Sequence, residues 1–119
     1  GTTNDLQGIT FVDGDRGWAV GESNTILHTV DGGTSWAPQN PPTGSSGVDW
    51  WSVSFASDTI GWVVGTQGKV AQTLDGGNTW DLASTGLSNT TTLYSVQAAG
   101  PAVVWVAGSD GTFASTVDG

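Results

Sequence analysis

Cysteine and methionine are absent from this 119-residue chain, and bases nearly so: Arg16 and Lys69 stand against eleven acids, for a formal net charge of −9. Without cysteine there are neither disulfides nor thiolate metal sites. Two bases cannot neutralise a phosphate backbone or bind an anionic bilayer, which excludes nucleic acid and anionic membranes as partners. No apolar run reaches the roughly 18 residues of a membrane span. An initiator methionine and an apolar leader are also lacking, as in a processed product or a part of a longer chain. Charged residues make up only 11%, so hydroxyls and amides must cover the surface. That composition points to an extracellular or cell-surface protein. There, the sequon Asn89-Thr90-Thr91 would offer Asn89 for glycosylation.

What the chain does contain is a repeat. Gly17-Trp18-Ala19-Val20-Gly21 recurs as Gly61-Trp62-Val63-Val64-Gly65 and again as Val104-Trp105-Val106-Ala107-Gly108. Asp31-Gly32-Gly33-Thr34-Ser35-Trp36 recurs as Asp75-Gly76-Gly77-Asn78-Thr79-Trp80, and a third copy starts at Asp118-Gly119. Both landmarks repeat at spacings of 44 and 43 residues, and a shared period of this length marks a repeat architecture. Ile9–Val12, Ser52–Phe55 and Tyr94–Gln97 alternate in character like half-buried strands. The runs at Trp62–Val64 and Val103–Val106 read as strands buried on both faces. A third strand follows at Thr25–His28, Lys69–Gln72 and Thr112–Ser115, and a fourth begins around Trp36 and Trp80. Four short antiparallel strands per period make one blade of an all-β propeller. The chain therefore reads as one domain, 1–119, with blades over about 6–47, 48–91 and 92–119 and residues 1–5 as a candidate closing strand.

The Asp-Gly-Gly turn needs positive φ, which glycine supplies at no steric cost. Its aspartate can accept N–H bonds from residues ahead and close the turn, while the tryptophan seals it. Thr29, Asp31, Gly33 and Trp36, with Thr73, Asp75, Gly77, Trp80 and Asp118, are thus read as structural. One carboxylate per turn offers too few oxygens for calcium, so no metal or other cofactor is expected. These boxes resemble the Asp-box (BNR) repeat, Ser/Thr-x-Asp-x-Gly-x-Thr/Ser-Trp. The Gly-Trp-(Ala/Val)-Val-Gly strand is similar to that of the Ycf48-like photosystem II assembly factors. The resemblance covers nearly the whole chain and implies a propeller with the box between the third and fourth strands of each blade. Asp-box sialidases add three arginines and a Tyr/Glu nucleophile pair, whereas this chain has only Arg16, Tyr94 and Glu22. The basic partner-binding patch that the assembly-factor resemblance implies also has no counterpart.

No nucleophile motif, phosphate loop or metal-ligand cluster occurs, so a non-enzymatic protein is expected. His28 occupies a strand position held by Gln72 and Ser115 in the other repeats and reads as a solvent-facing filler. Arg16 is expected to pair with Asp13 or Asp15. Trp18, Trp62 and Trp105 are expected between blades, and Trp50 in the core beside the equivalent Leu6 and Leu93. Trp51, aligned with Gln7 and Tyr94, makes Trp51 and Tyr94 the candidate contacts for a ligand or partner. The long loop from Pro38 to Asp49 reads as stiff at its prolines and flexible beyond them, a length often tied to function.

Closed propellers have four to eight blades, so three leave open edges. Gly1-Thr2-Thr3-Asn4 reads as the second half of a box whose first half is Asp118-Gly119, which makes these six residues candidate assembly contacts. The reading favoured is a structural or assembly protein that completes a ring or filament by homo-oligomerisation. A lectin-like module that binds a glycan or another protein is the alternative, as is a fragment of a larger Asp-box propeller.

Overall fold

Short β-prone segments punctuated by glycine turns form eleven strands in the computed structural model, which describes residues 5–83, 90–99, 103–111 and 113–116. The candidate contacts Gly1, Thr2, Thr3, Asn4, Asp118 and Gly119, and the sequon residue Asn89, lie outside the described residues. The strands are β1 (Leu6–Phe11), β2 (Gly17–Gly21), β3 (Thr25–Thr29), β4 (Ala37–Pro38), β5 (Trp50–Phe55), β6 (Gly61–Gly65), β7 (Val70–Thr73), β8 (Asp81–Ala83), β9 (Leu93–Ala98), β10 (Val104–Gly108) and β11 (Phe113–Thr116). They pair in chain order as antiparallel meanders, β1-β2-β3-β4, β5-β6-β7-β8 and β9-β10-β11. The inner strands β1, β5 and β9 lie side by side, as in propeller blades. The fourth strands start one residue after the expected tryptophans, at Ala37 and Asp81.

Each joint between blades is a separate apolar core. Trp18, Val20 and Ile26 of the first blade meet Val53, Val63, Ala71 and Trp80 of the second. Trp62, Val64 and Val70 of the second meet Leu93, Val96, Val104 and Val106 of the third. Both β2 and β6 are buried along their full length. In β10, by contrast, burial alternates, although its sequence is as apolar. The reason is that no further blade packs on it among the described residues. Trp105 is therefore 50% exposed, against 0% for Trp18 and 1% for Trp62. Its expected burial between blades is not what the structure shows. Trp50 and Leu93 are fully buried as expected, while the equivalent Leu6 is 48% exposed on the free face of the first blade.

The glycines that bracket each buried tryptophan answer to close approach. A Cβ on Gly61 would meet the Phe55 ring at 2.5 Å, and one on Gly65 would meet the Asp49 carbonyl oxygen at 2.1 Å. The Pro38–Asp49 loop is pinned where flexibility is expected. Ser45 and Val48 are fully buried, the Ser45 hydroxyl donates to the Pro42 carbonyl at 2.6 Å, and Asn24 N–H donates to the Val48 carbonyl at 2.8 Å.

Candidate functional site: Asp boxes and blade joints

Each complete box is built around a buried threonine hydroxyl. Thr29 and Thr73 are 1% exposed. The Thr29 Oγ1 hydroxyl donates to Asp31 Oδ1 at 2.7 Å while accepting the Gly33 N–H at 3.0 Å. The carboxylate also accepts the Ser35 N–H on Oδ1 at 2.9 Å and the Ser35 hydroxyl on Oδ2 at 2.5 Å. Thr73, Asp75, Gly77 and Thr79 reproduce the pattern at 2.7–2.9 Å. Gly32 and Gly33 sit at φ +72° and +92°, and Gly76 and Gly77 at +75° and +93°, where a side chain would be strained. The aspartate reaches four residues ahead, farther than an Asx-turn of two. The threonine's part as the hub is not visible in the pattern of residue types.

Donors crowded on a carboxylate stabilise its charged form. The hydroxyl of Ser35, then its N–H, then the Thr29 hydroxyl hold Asp31 down to about 2. The N–H and hydroxyl of Thr79 and the hydroxyl of Thr73 lower Asp75 in the same direction. A carboxyl depressed in the folded state adds stability that is fully present above its ordinary value of 3.8 and is lost as pH falls toward the folded value. The thermal midpoint should therefore drop between about pH 4 and pH 2, and Asp31→Asn should flatten part of that drop. Superimposable midpoint-versus-pH curves for the two proteins would contradict this origin.

The box also joins blades, which the sequence reading did not anticipate. The Gly76 carbonyl in the second box accepts Trp18 Nε1–H at 3.0 Å and Gln39 Nε2–H at 3.1 Å, both from the first blade. Trp80 Nε1–H donates to Gln39 Oε1 at 3.2 Å. The Trp18 ring lies flat between His28, at 4.9 Å and 19°, and Phe55 of the second blade, at 3.6 Å and 12°. Phe55 in turn meets the edge of Trp80 at 5.9 Å. His28 is thus a stacking partner instead of a solvent-facing filler. Burial and the nearby Arg16 lower its pKa. Arg16 does not form the expected ion pair with Asp13 or Asp15. Its guanidinium binds Asp58 of the second blade at 2.6 Å, while its N–H caps Asp13 at 2.8 Å. With both partners about half exposed, the Arg16–Asp58 pair contributes at most about 1 kcal/mol.

Backbone capping completes the joint. Ser52 Oγ accepts the Val96 N–H at 3.3 Å, and Ser54 Oγ accepts the Ala98 N–H at 3.0 Å. Hydroxyls of one inner strand thereby satisfy the free edge of the next. On the inner rim Trp51 and Tyr94 are brought together, ring edge to face at 5.3 Å. Tyr94 is half exposed, and the buried Trp51 Nε1–H has no acceptor among the described residues. No group of three metal-binding side chains occurs among the described residues.

The family described as Photosynthesis system II assembly factor YCF48 matches the chain twice, over residues 1–81 and 45–119. The chain belongs to this family. Two solved YCF48 structures share its blades. One, described as YCF48 bound to D1 peptide, superposes with a TM-score of 0.89 at 29% identity, over 98% of this chain and 38% of that one. The other, YCF48 from Cyanidioschyzon merolae, gives 0.83 at 28% identity, with the same coverage of 98% and 38%. This chain thus spans well under half the length of either YCF48 structure. No curated protein matches it.

Proposed function

We propose that this chain is a non-catalytic assembly unit whose two free blade faces are completed by a second copy, closing a six-bladed ring of two chains. One observation carries the reading. Five of the exposed large apolar residues lie on the two end blades at 41–74% exposure: Leu6, Ile9 and Phe11 on the first, and Trp105 and Phe113 on the third. Each is the repeat equivalent of a residue packed at an internal joint. Apolar surface of this kind marks an interface. A head-to-tail contact between copies either closes or propagates into a filament, and six blades fall within the range of closed propellers. Equilibrium sedimentation should report twice the 12.1 kDa chain mass. A mass of 12.1 kDa at every concentration would instead favour a second reading, in which the remaining blades belong to a longer chain. The 38% coverage of the YCF48 structures supports that second reading.

The non-catalytic part of the proposal is supported by the state of the acids and of His28. The carboxylates of Asp31 and Asp75 are taken up by box hydrogen bonds, and His28 is packed on Trp18. For a ligand we propose a protein segment, since a D1 peptide is bound to the related YCF48. The exposed Tyr94 ring against Trp51 is the contact put forward for it. A location outside the cytosol belongs to the same proposal and is supported by the low share of charged residues, 11%.

A further inference from the structure

A groove of about 550 Å³ opens between the first and second blades, at the end of the blades where the boxes lie. Gly32 N–H donates to the Asp15 carbonyl and Gly76 N–H to the Thr59 carbonyl, both at 2.9 Å, so each box is tied to the first turn of its own blade. Both walls belong to four-stranded blades: Asp15, Arg16, His28 and Val30 come from the first, Asp58 and Asp75 from the second. We infer that this groove is a docking site for a segment of another protein that carries a lysine or arginine beside an apolar residue. Asp58 follows the end of β5, whereas Trp51 stands at its start, so the groove lies at the opposite end of the blade from the Trp51–Tyr94 pair. It is enclosed by one chain and does not depend on how the ring is completed.

Charge sets the first half of that chemistry. Three carboxylates, Asp15, Asp58 and Asp75, face one cation, Arg16. Arg16 crosses the groove to Asp58 at 2.6 Å, which cancels one of the three. His28 is neutral at pH 7, because burial and the nearby Arg16 both lower its pKa. Asp75 keeps its charge through its bonds to Thr79 and Thr73, and the Asp15 carboxylate accepts no hydrogen bond and forms no ion pair among the described residues. Two negative charges are thus left for an incoming cation, in a concave site that focuses their field. The repeat shows that a joint does not need them. At the next joint Thr59, Ile60 and Gln72 stand where Asp15, Arg16 and His28 stand here, and Ile60 is packed on the apolar core. Neutral residues perform the same structural task there, so the charges of the first joint answer to something other than closure. Apolar surface sets the second half. Val30 and Leu74, between threonine and aspartate in the two boxes, are 65% and 67% exposed. The second blade has a neighbour on each side, so Leu74 owes its exposure to the turn. Val30, at the equivalent place, lines the groove. The volume lies within the roughly 300–1,000 Å³ of ordinary ligand sites.

Nuclear magnetic resonance titration of the isotope-labelled chain reads the groove directly, because the Trp18 indole N–H is bonded to the Gly76 carbonyl in its wall. The probes are an acetylated, amidated pentapeptide, serine-valine-lysine-valine-serine, and its counterpart with glutamine in place of lysine. The lysine peptide should shift the Trp18 indole, Gly76 and Asn78 signals along a saturating curve, and the glutamine peptide should bind about threefold more weakly. Asp15→Asn should narrow that difference to under about twofold. Asp81→Asn, which removes the same charge from an exposed site outside the groove, should leave it intact. Val30→Ser should weaken both peptides alike, by about threefold. The spectra themselves establish that each variant is folded. Absence of shifts at the groove signals overturns the proposal, as does equal affinity for the two peptides. Equal effects of Asp15→Asn and Asp81→Asn also overturn it, by reducing the binding to general attraction toward a chain of net charge −9. Calcium chloride alone should leave the same signals unmoved; saturable calcium shifts there would make the groove a metal site instead. Failure of this test leaves the two-copy reading untouched, and a chain that sediments as a single copy leaves this test unaltered.

Discussion

Trp18→Ala is expected to cost about 3–5 kcal/mol of folding stability, as for other buried tryptophan truncations. The indole is fully buried and is the filling of a three-ring stack that crosses from the first blade to the second. Its removal leaves a cavity that Phe55, already pressed against Gly61, is poorly placed to fill. It also deletes the N–H donor to the Gly76 carbonyl, although Gln39 remains to hold that oxygen. Against a total stability of about 5–15 kcal/mol for a domain, this loss removes much of the folded state. Trp18→Phe should recover most of the loss, since it restores ring stacking without the hydrogen bond. The repeat supplies an internal control. Trp105→Ala, in the single chain, should cost no more than about 0.5 kcal/mol, because half of that side chain is exposed. Urea titration of the three variants checks the ranking; equal losses at Trp18 and Trp105 would mean that the joint has been misread.

Gly65→Ala should be nearly as damaging, at about 3 kcal/mol, although it adds one methyl group and creates no cavity. The new Cβ would sit 2.1 Å from the Asp49 carbonyl oxygen and 3.0 Å from Trp50 Cα. Those are backbone atoms of the inner strand, at the point where β5 shifts register between Trp50 and Ser52. Relief requires β5 to move away from β6, and Trp50 moves with it, breaking the indole bond to Asn24 Oδ1 at 2.9 Å. Gly14→Ala is the matching control, because a Cβ there meets nothing within 4 Å, and its midpoint should stay within about 0.5 kcal/mol of wild type. If Gly65→Ala were as neutral as Gly14→Ala, the close approach of β5 to β6 would not be a constraint on the fold.

The blade itself was legible in the sequence because each of its parts is local. Alternation, glycine turns and the Asp box all act within a few residues, and they repeat with one period. What lay between blades was harder to read. Arg16 has acids three and one residues away in sequence, and its actual partner is 42 residues distant. Gln39 sits among prolines and looks like a loop residue, yet its amide links Gly76 and Trp80. The repeat even misled at Trp105. Sequence equivalence to Trp18 and Trp62 implies equal burial, but burial there depends on a blade beyond β10. Trp51 and Tyr94, read from the sequence as candidate contacts for a ligand or partner, touch each other because they share a position in the repeat and inner strands of successive blades run side by side.

Small-angle scattering of the chain in solution addresses completion of the ring most directly. A two-copy ring predicts a radius of gyration clearly above the 13.0 Å of the single chain, a distance distribution of a closed disc, and a profile that persists on dilution. A profile matching 13.0 Å and the 37 × 31 × 23 Å wedge of three blades at all concentrations would contradict it.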